Sequence, residues 1–310
     1  MDTALLLAGK IAELTLIVFM GIGLVKSGLL KSENSYPLSV IALYLISPSV
    51  MLHAFQIGYT PEVAQGLLLS VKLAVLFHIL LIAIGKILKK LLRLDSLEHA
   101  AMVYSNSGNL IIPLVMSVFG SEWVIYTGGF IIVQTVLFWT HLRLLVSGNV
   151  RLSWKTMLTN INILCIFTGL LMFAFQIKLP RLMDNTFAAV GSMIGPVAMI
   201  VAGMLIASVP PHALLCSARL YAVAFLRLIL IPLILLAVVK LSGLAHLNAL
   251  SETVVLISFL ATISPSAATI TQMAVLYGND ARKASAIYGI TTLLCVITMP
   301  LMIALYRYTV

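Results

Sequence analysis

Apolar stretches of roughly 20 residues follow one another along the entire chain, and each is long enough to cross a hydrocarbon layer about 30 Å thick. The pattern predicts spans at 4–25, 36–57, 62–88, 98–119, 123–146, 158–178, 184–207, 212–240, 252–276 and 282–306. Spans of this length are helices, because a barrel strand needs far fewer consecutive apolar residues. The expected fold class is therefore an all-α polytopic membrane protein with ten transmembrane helices. Composition agrees: 61% of the 310 residues are hydrophobic and 9% are charged. A soluble domain of this length needs more polar surface to cover its core. The first span carries Lys10 and Glu13 and has neither a basic leader nor a small-residue cleavage site, so it reads as a retained span.

The net charge is +9. The basic residues sit in short connections between apolar runs, which points to membrane topology and anionic lipid and not to nucleic acid. Connections after spans one, three, five, seven and nine hold Lys26, Lys31, Lys86, Lys89, Lys90, Arg93, Arg143, Arg151, Lys155, Arg219, Arg282 and Lys283. The opposite side has Lys10, Lys178, Arg181, Lys240 and Arg307, while Lys72 and Arg227 lie within spans. This bias places both termini outside and the central connection in the cytoplasm of a cell inner (plasma) membrane. Cys165, Cys216 and Cys295 lie far apart and have no metal-ligand spacing. No metal, cofactor or catalytic motif is expected: the chain has no P-loop, nucleophile elbow, zinc pattern or dinucleotide fingerprint.

The longest connection, residues 147–157, divides the chain into halves, 1–150 and 151–310. The halves echo each other. Ser47-Pro48 interrupts the second span and Gly195-Pro196 the seventh. Phe119-Gly120-Ser121-Glu122 ends the fourth span and Tyr277-Gly278-Asn279-Asp280 the ninth. Five spans per half is an odd number, so the second half is expected to be inverted in the membrane, as in alternating-access transporters.

The fourth span contains Tyr104-Ser105-Asn106-Ser107-Gly108-Asn109-Leu110-Ile111-Ile112-Pro113. A polar, glycine-bearing stretch followed by proline opens a helix. The ninth span answers with Thr262-Ile263-Ser264-Pro265-Ser266-Ala267-Ala268-Thr269-Ile270-Thr271. Irregular backbone at that depth is tolerated only where protein or a watered cavity satisfies it, so two such breaks in corresponding halves mark the expected substrate site. Half-helices starting there would aim positive dipole ends at a carboxylate. The candidate substrate-binding residues are Asn106, Asn109, Pro113, Ser264, Pro265, Ser266 and Thr269, with Gln134 of the fifth span. The bland alternative is a pair of proline kinks whose hydroxyls bond their own helices.

Three charges inside spans are candidates for charge or coupling roles: Arg227, Lys72 and Glu13. Arg227 and Lys72 either attract the anion, cap open carbonyls or snorkel. Glu13 either carries a proton or lies near the outer surface. His53, His78 and His141 are possible proton carriers, weighed against packing histidines.

Ser-Asn-Ser-Gly-Asn-Leu-Ile-Ile-Pro-Leu at 105–114 resembles the Ser-Asn-Thr-Gly-x-x-Gly-x-Pro pattern of the auxin efflux carrier family. Ser-Pro-Ser-Ala at 264–267, Tyr-Gly-Asn-Asp-Ala at 277–281 and Arg227-Leu228 with Pro232 are similar to that family's last three spans, and the likeness covers the whole chain. Ile111 departs from the pattern, where the family often has Gly. The resemblance implies two inverted five-helix repeats whose spans four and nine cross at Pro113 and Pro265. It implies a transport core of spans 3–5 and 8–10 moving against a scaffold of spans 1, 2, 6 and 7, in a homodimer. It implies efflux of small organic anions such as auxin-like carboxylates, malate or malonate, and the compact length resembles bacterial members. A sodium- or proton-coupled organic-anion symporter and an anion channel are the alternatives.

Overall fold

A backbone in hydrocarbon must bond to itself, and the described residues do so mainly with helices. The computed structural model describes residues 3–148, 159–210, 217–247 and 249–310. Arg151, Lys155, Cys216 and the expected boundary between halves at 150/151 lie outside the described residues. Within them the helices are α1 (Thr3–Lys26), α2 (Ser32–Ala54), α3 (Pro61–Leu92), α4 (Ser96–Val103), α5 (Ser107–Val118) and α6 (Ser121–Ser147). There follow α7 (Ile161–Ala174), α8 (Arg181–Ala207), α9 (Ala218–Ser242), α10 (Ala249–Ile263), α11 (Ala268–Leu276) and α12 (Ala281–Thr309). Among the described residues, seven helical stretches are long and apolar enough to cross a membrane, within α1, α2, α3, α6, α8, α9 and α12. Shorter apolar helices occupy Ser107–Val118, Ile161–Ala174 and Leu250–Ile263.

Several helix starts near polar connections carry side-chain caps, while those of α6 at Gly120 and α8 at Pro180 do not. Thr60 accepts from the Val63 N–H ahead of α3, and Asp95 with Glu98 forms a capping box on α4. Asn160, Ser217 and Asp280 cap α7, α9 and α12 in the same way. Arg93 ends α3 in the left-handed region, at φ 51°, and its freed carbonyl accepts from Arg219.

The helices pack in close pairs, and α1 also lies against α12. α1 lies along α8, and α2 packs on α7 and α8. The α1–α8 crossing is close because Gly21 faces Gly203: a Cβ on either would collide with the other helix's backbone. Elsewhere α3 packs on α6 and α10, α9 on α10 and α12, and α11 on α12. On the outer faces of the helices, large apolar side chains such as Leu16, Met20, Ile79 and Ile297 are exposed. That surface matches lipid and not water.

Candidate functional site

α4 runs only from Ser96 to Val103 before Tyr104 turns extended, and helix resumes at Ser107. The cause is local. Ser105, Asn106 and Ser107 compete for their own backbone, and Gly108 adds no helix preference. Pro113 has no N–H for the carbonyl four residues earlier, and the turn before it, Ser107–Ile111, is wound as a π-helix. In the second half α10 ends at Ile263 and α11 begins at Ala268. Pro265 disfavours helical geometry at Ser264, so the helix stops there.

The two irregular segments satisfy each other. Asn106 N–H donates to the Pro265 carbonyl at 2.8 Å, and Ala267 N–H donates to the Tyr104 carbonyl at 3.0 Å. Ser105 and Ser266 are thereby paired as one antiparallel bridge inside a helical protein. A neighbouring helix then pins each segment. Gln134 of α6 accepts from Ser105 N–H (3.2 Å) and Ser105 Oγ (2.9 Å). Its amide donates to the Ser105 carbonyl and to Ser107 Oγ, both at 2.9 Å. On the other side Thr291 Oγ1 of α12 lies 3.3 Å from Ser266 N and 3.0 Å from Ser266 Oγ.

Arg227 completes the arrangement. It is fully buried and donates to the carbonyls of Met102 (2.9 Å), Thr262 (2.7 Å) and Ser264 (2.8 and 3.2 Å). These carbonyls belong to the C-terminal ends of α4 and α10, the negative ends of two helix dipoles. One guanidinium thus neutralises both, the capping alternative weighed from the sequence. The helix starts differ: neither α5 nor α11 has a side-chain cap on its first N–H groups. Their orphan donors are available to a ligand.

Those starts face a cavity of about 1780 Å³. It reaches inward from the helix ends carrying Glu33, Asn160, Ser208, Arg219 and Lys283 to Asn106. Asn106, Asn109, Gln134 and Thr269 line it. Ser264, Pro265 and Ser266 are buried in the bridge behind it. Pro113 is also buried but stands apart from the bridge, against Gly195 of α8. Of the meeting point expected at Pro113 and Pro265, Pro265 does lie in the bridge, while the fourth-span side meets it at Ser105 and Asn106 and not at Pro113, because the polar residues before that proline leave the helix.

Among the described residues, two buried polar atoms at the cavity lack a hydrogen-bond partner: Asn106 Nδ2 and Thr271 Oγ1. Thr271 and Thr291 are site residues that sequence reading missed. Thr291 follows Gln134 by 157 positions, and Gly278 follows Gly120 by 158, so the repeat spacing was the available signal. At the cavity mouth Glu98 is held by Arg219 (2.8 Å) and Lys283 (3.0 Å), and Lys283 also meets Asp95.

The remaining candidates lie away from the cavity. Glu13 pairs with Lys10 at 2.7 Å on the exposed face of α1. Lys72 is exposed on α3. His53 bonds Asp184 at 2.6 Å, His78 bonds the Ala74 carbonyl at 2.7 Å, and His141 bonds Tyr104 Oη at 2.8 Å.

No curated protein matches this chain. The profile of one family, described as membrane transport protein, matches residues 6–151 and again 149–303. The two matches together span nearly all of the sequence, and the chain belongs to the membrane transport protein family, the family of the auxin efflux carriers.

Proposed function

We propose that this membrane transporter is a secondary carrier of small organic anions working by alternating access. The observation that carries the reading is the unequal treatment of the helix ends at the bridge. Their carbonyl ends are neutralised by one buried arginine, and their N–H ends are left open toward a cavity. A carboxylate is the ligand such a site favours. Asn106 Nδ2, Asn109, Thr269 and Thr271 supply further donors beside it.

The same reading joins α4 with α5, and α10 with α11, into two interrupted spans. With the helices on either side this makes ten spans in two inverted five-helix repeats. α1, α2, α7 and α8 serve as scaffold, and the remaining helices carry the bridge across the membrane. The cavity mouth lies on the side richest in Lys and Arg, which the charge bias assigns to the cytoplasm. The structure is then an inward-open state with both termini outside. A negative cell interior drives an anion outward at about 2.3 kcal/mol per charge per 100 mV, so efflux needs no coupled ion.

The test is counterflow in proteoliposomes. A thermal-shift screen of mono- and dicarboxylates first chooses the anion, since a ligand of the folded state raises its stability. Internal unlabelled anion should then accelerate saturable uptake of the labelled one. Asn109→Ala and Pro265→Ala should each abolish it while expression persists. Current without counterflow would identify a channel, and wild-type uptake by both variants would remove the proposed site.

A further inference from the structure

We infer that a second cavity, separate from the central one, is a binding site for a phosphate group, and that an anionic lipid headgroup is the source its surroundings favour. The cavity is about 490 Å³ and is lined by Lys86, Lys89, Lys90, Leu94, His99, His141, Leu144 and Leu145. None of these residues lines the central cavity. Three lysines line it, and no carboxylate is among the lining side chains. His99 is the second, independent sign of a ligand. It is 2% exposed, yet neither ring nitrogen has a partner among the described residues. Burying such groups without a partner is costly, and an occupant that accepts a hydrogen bond removes the cost. The ring is accommodated by Gly85: a Cβ there would stand 3.0 Å from His99 Cδ2 and Nε2. His141 has a different task, because its Nδ1 already bonds Tyr104 Oη.

The surroundings fit a lipid. The cavity lies at the end of α3, where Ile87 and Leu91 are exposed, and Leu144 of α6 is exposed beside it. A headgroup phosphate can sit among the lysines while its chains run down this apolar surface. Basic pockets between helix ends at the cytoplasmic face bind anionic headgroups in this way.

The experiment uses the full chain in phosphatidylcholine nanodiscs. Retention of added phosphatidylglycerol is read by native mass spectrometry, and inorganic phosphate binding by calorimetry. Lys86→Gln with Lys90→Gln should lower lipid retention about tenfold. Lys26→Gln with Lys31→Gln removes the same charge elsewhere at that end and should change retention less than about twofold. His99→Gln, which removes the ring and keeps a polar side chain, should also lower retention. Loss of inorganic phosphate binding in the pocket variants, with lipid retention unchanged, supports the site with a soluble phosphate as its source. Equal losses from both lysine pairs, or neither probe responding to the pocket variants, would overturn it.

Discussion

The two halves of the bridge solve one problem with different chemistry. At Ser105 an amide, Gln134, makes four hydrogen bonds and satisfies backbone donor and acceptor together. At Ser266 a single hydroxyl, Thr291, meets the backbone N–H and the side chain. The carbonyls on that side are served by Arg227 instead. The first half is therefore locked by a neutral side chain from α6, and the second by a cation from α9 that also reaches Met102 of the first. Two helix breaks joined in one backbone bridge do not require the same side chains to hold them. They require that every opened donor and acceptor find a partner at that depth.

The largest expected effect comes from the residue shared by both halves. Arg227→Met leaves carbonyls of Met102, Thr262 and Ser264 buried without their donor, at about 1–3 kcal/mol each. Transport should vanish and thermal unfolding in detergent should occur well below wild type. Arg227→Lys keeps the charge but loses the planar fork, so it should recover only part of the stability. Wild-type melting by Arg227→Met would mean that the bridge holds without a shared cap.

Next in size is the contrast between the two pins. Gln134→Ala removes four hydrogen bonds and should cost about 2–4 kcal/mol, against about 1–2 for Thr291→Val. Unfolding midpoints of the two variants in one detergent measure the difference. Equal losses would dissolve the asymmetry, and a larger loss from Thr291→Val would reverse it.

This asymmetry explains what the sequence made legible. Apolar runs locate helices because lipid rewards nothing else, and the polar stretches at 104–109 and 262–269 stand out against them. Ser264-Pro265 announced its break through a steric rule. Pro113 pointed to the right span and the wrong turn, since a proline weakens a helix over the preceding turn without saying where the chain leaves it. Gln134 was visible as an amide in an apolar span. Thr291 was not, because a threonine that bonds its own helix, as this one does to the Ile287 carbonyl at 2.7 Å, has the same sequence signature as one pinning a neighbour.

Cavity-facing residues come third, and here the effect moves from stability to transport. Asn109 and Thr269 sit in the first turns of α5 and α11, half-buried at the cavity. Asn109→Ala should abolish counterflow, and Thr269→Val should reduce it about tenfold through the loss of one polar contact to a charged ligand. Both should melt within about 1 kcal/mol of wild type. If Thr269→Val proves the more damaging, the second half and not the first dominates recognition of the anion.

The smallest effect tests whether repeat position implies shared role. Lys72 lies 48 residues before Gly120, and Arg227 lies 51 before Gly278, so spacing pairs the two cations. Their surroundings separate them. Arg227 faces the bridge from a fully buried position, whereas Lys72 shares an outward face with Leu68, Val75 and Ile79, which are 54%, 43% and 60% exposed. Residues four before, three after and seven after it on a helix lie on one side, so this lysine stands among lipid-facing side chains and reaches along them toward a polar headgroup. The opened carbonyls of Ser105 and Met102 already have donors in Gln134 and Arg227. Lys72→Gln should therefore keep counterflow at wild-type rate and melt within about 0.5 kcal/mol of wild type. A loss approaching that of Arg227→Met would require a state in which α3 turns this face inward and the two halves exchange their roles.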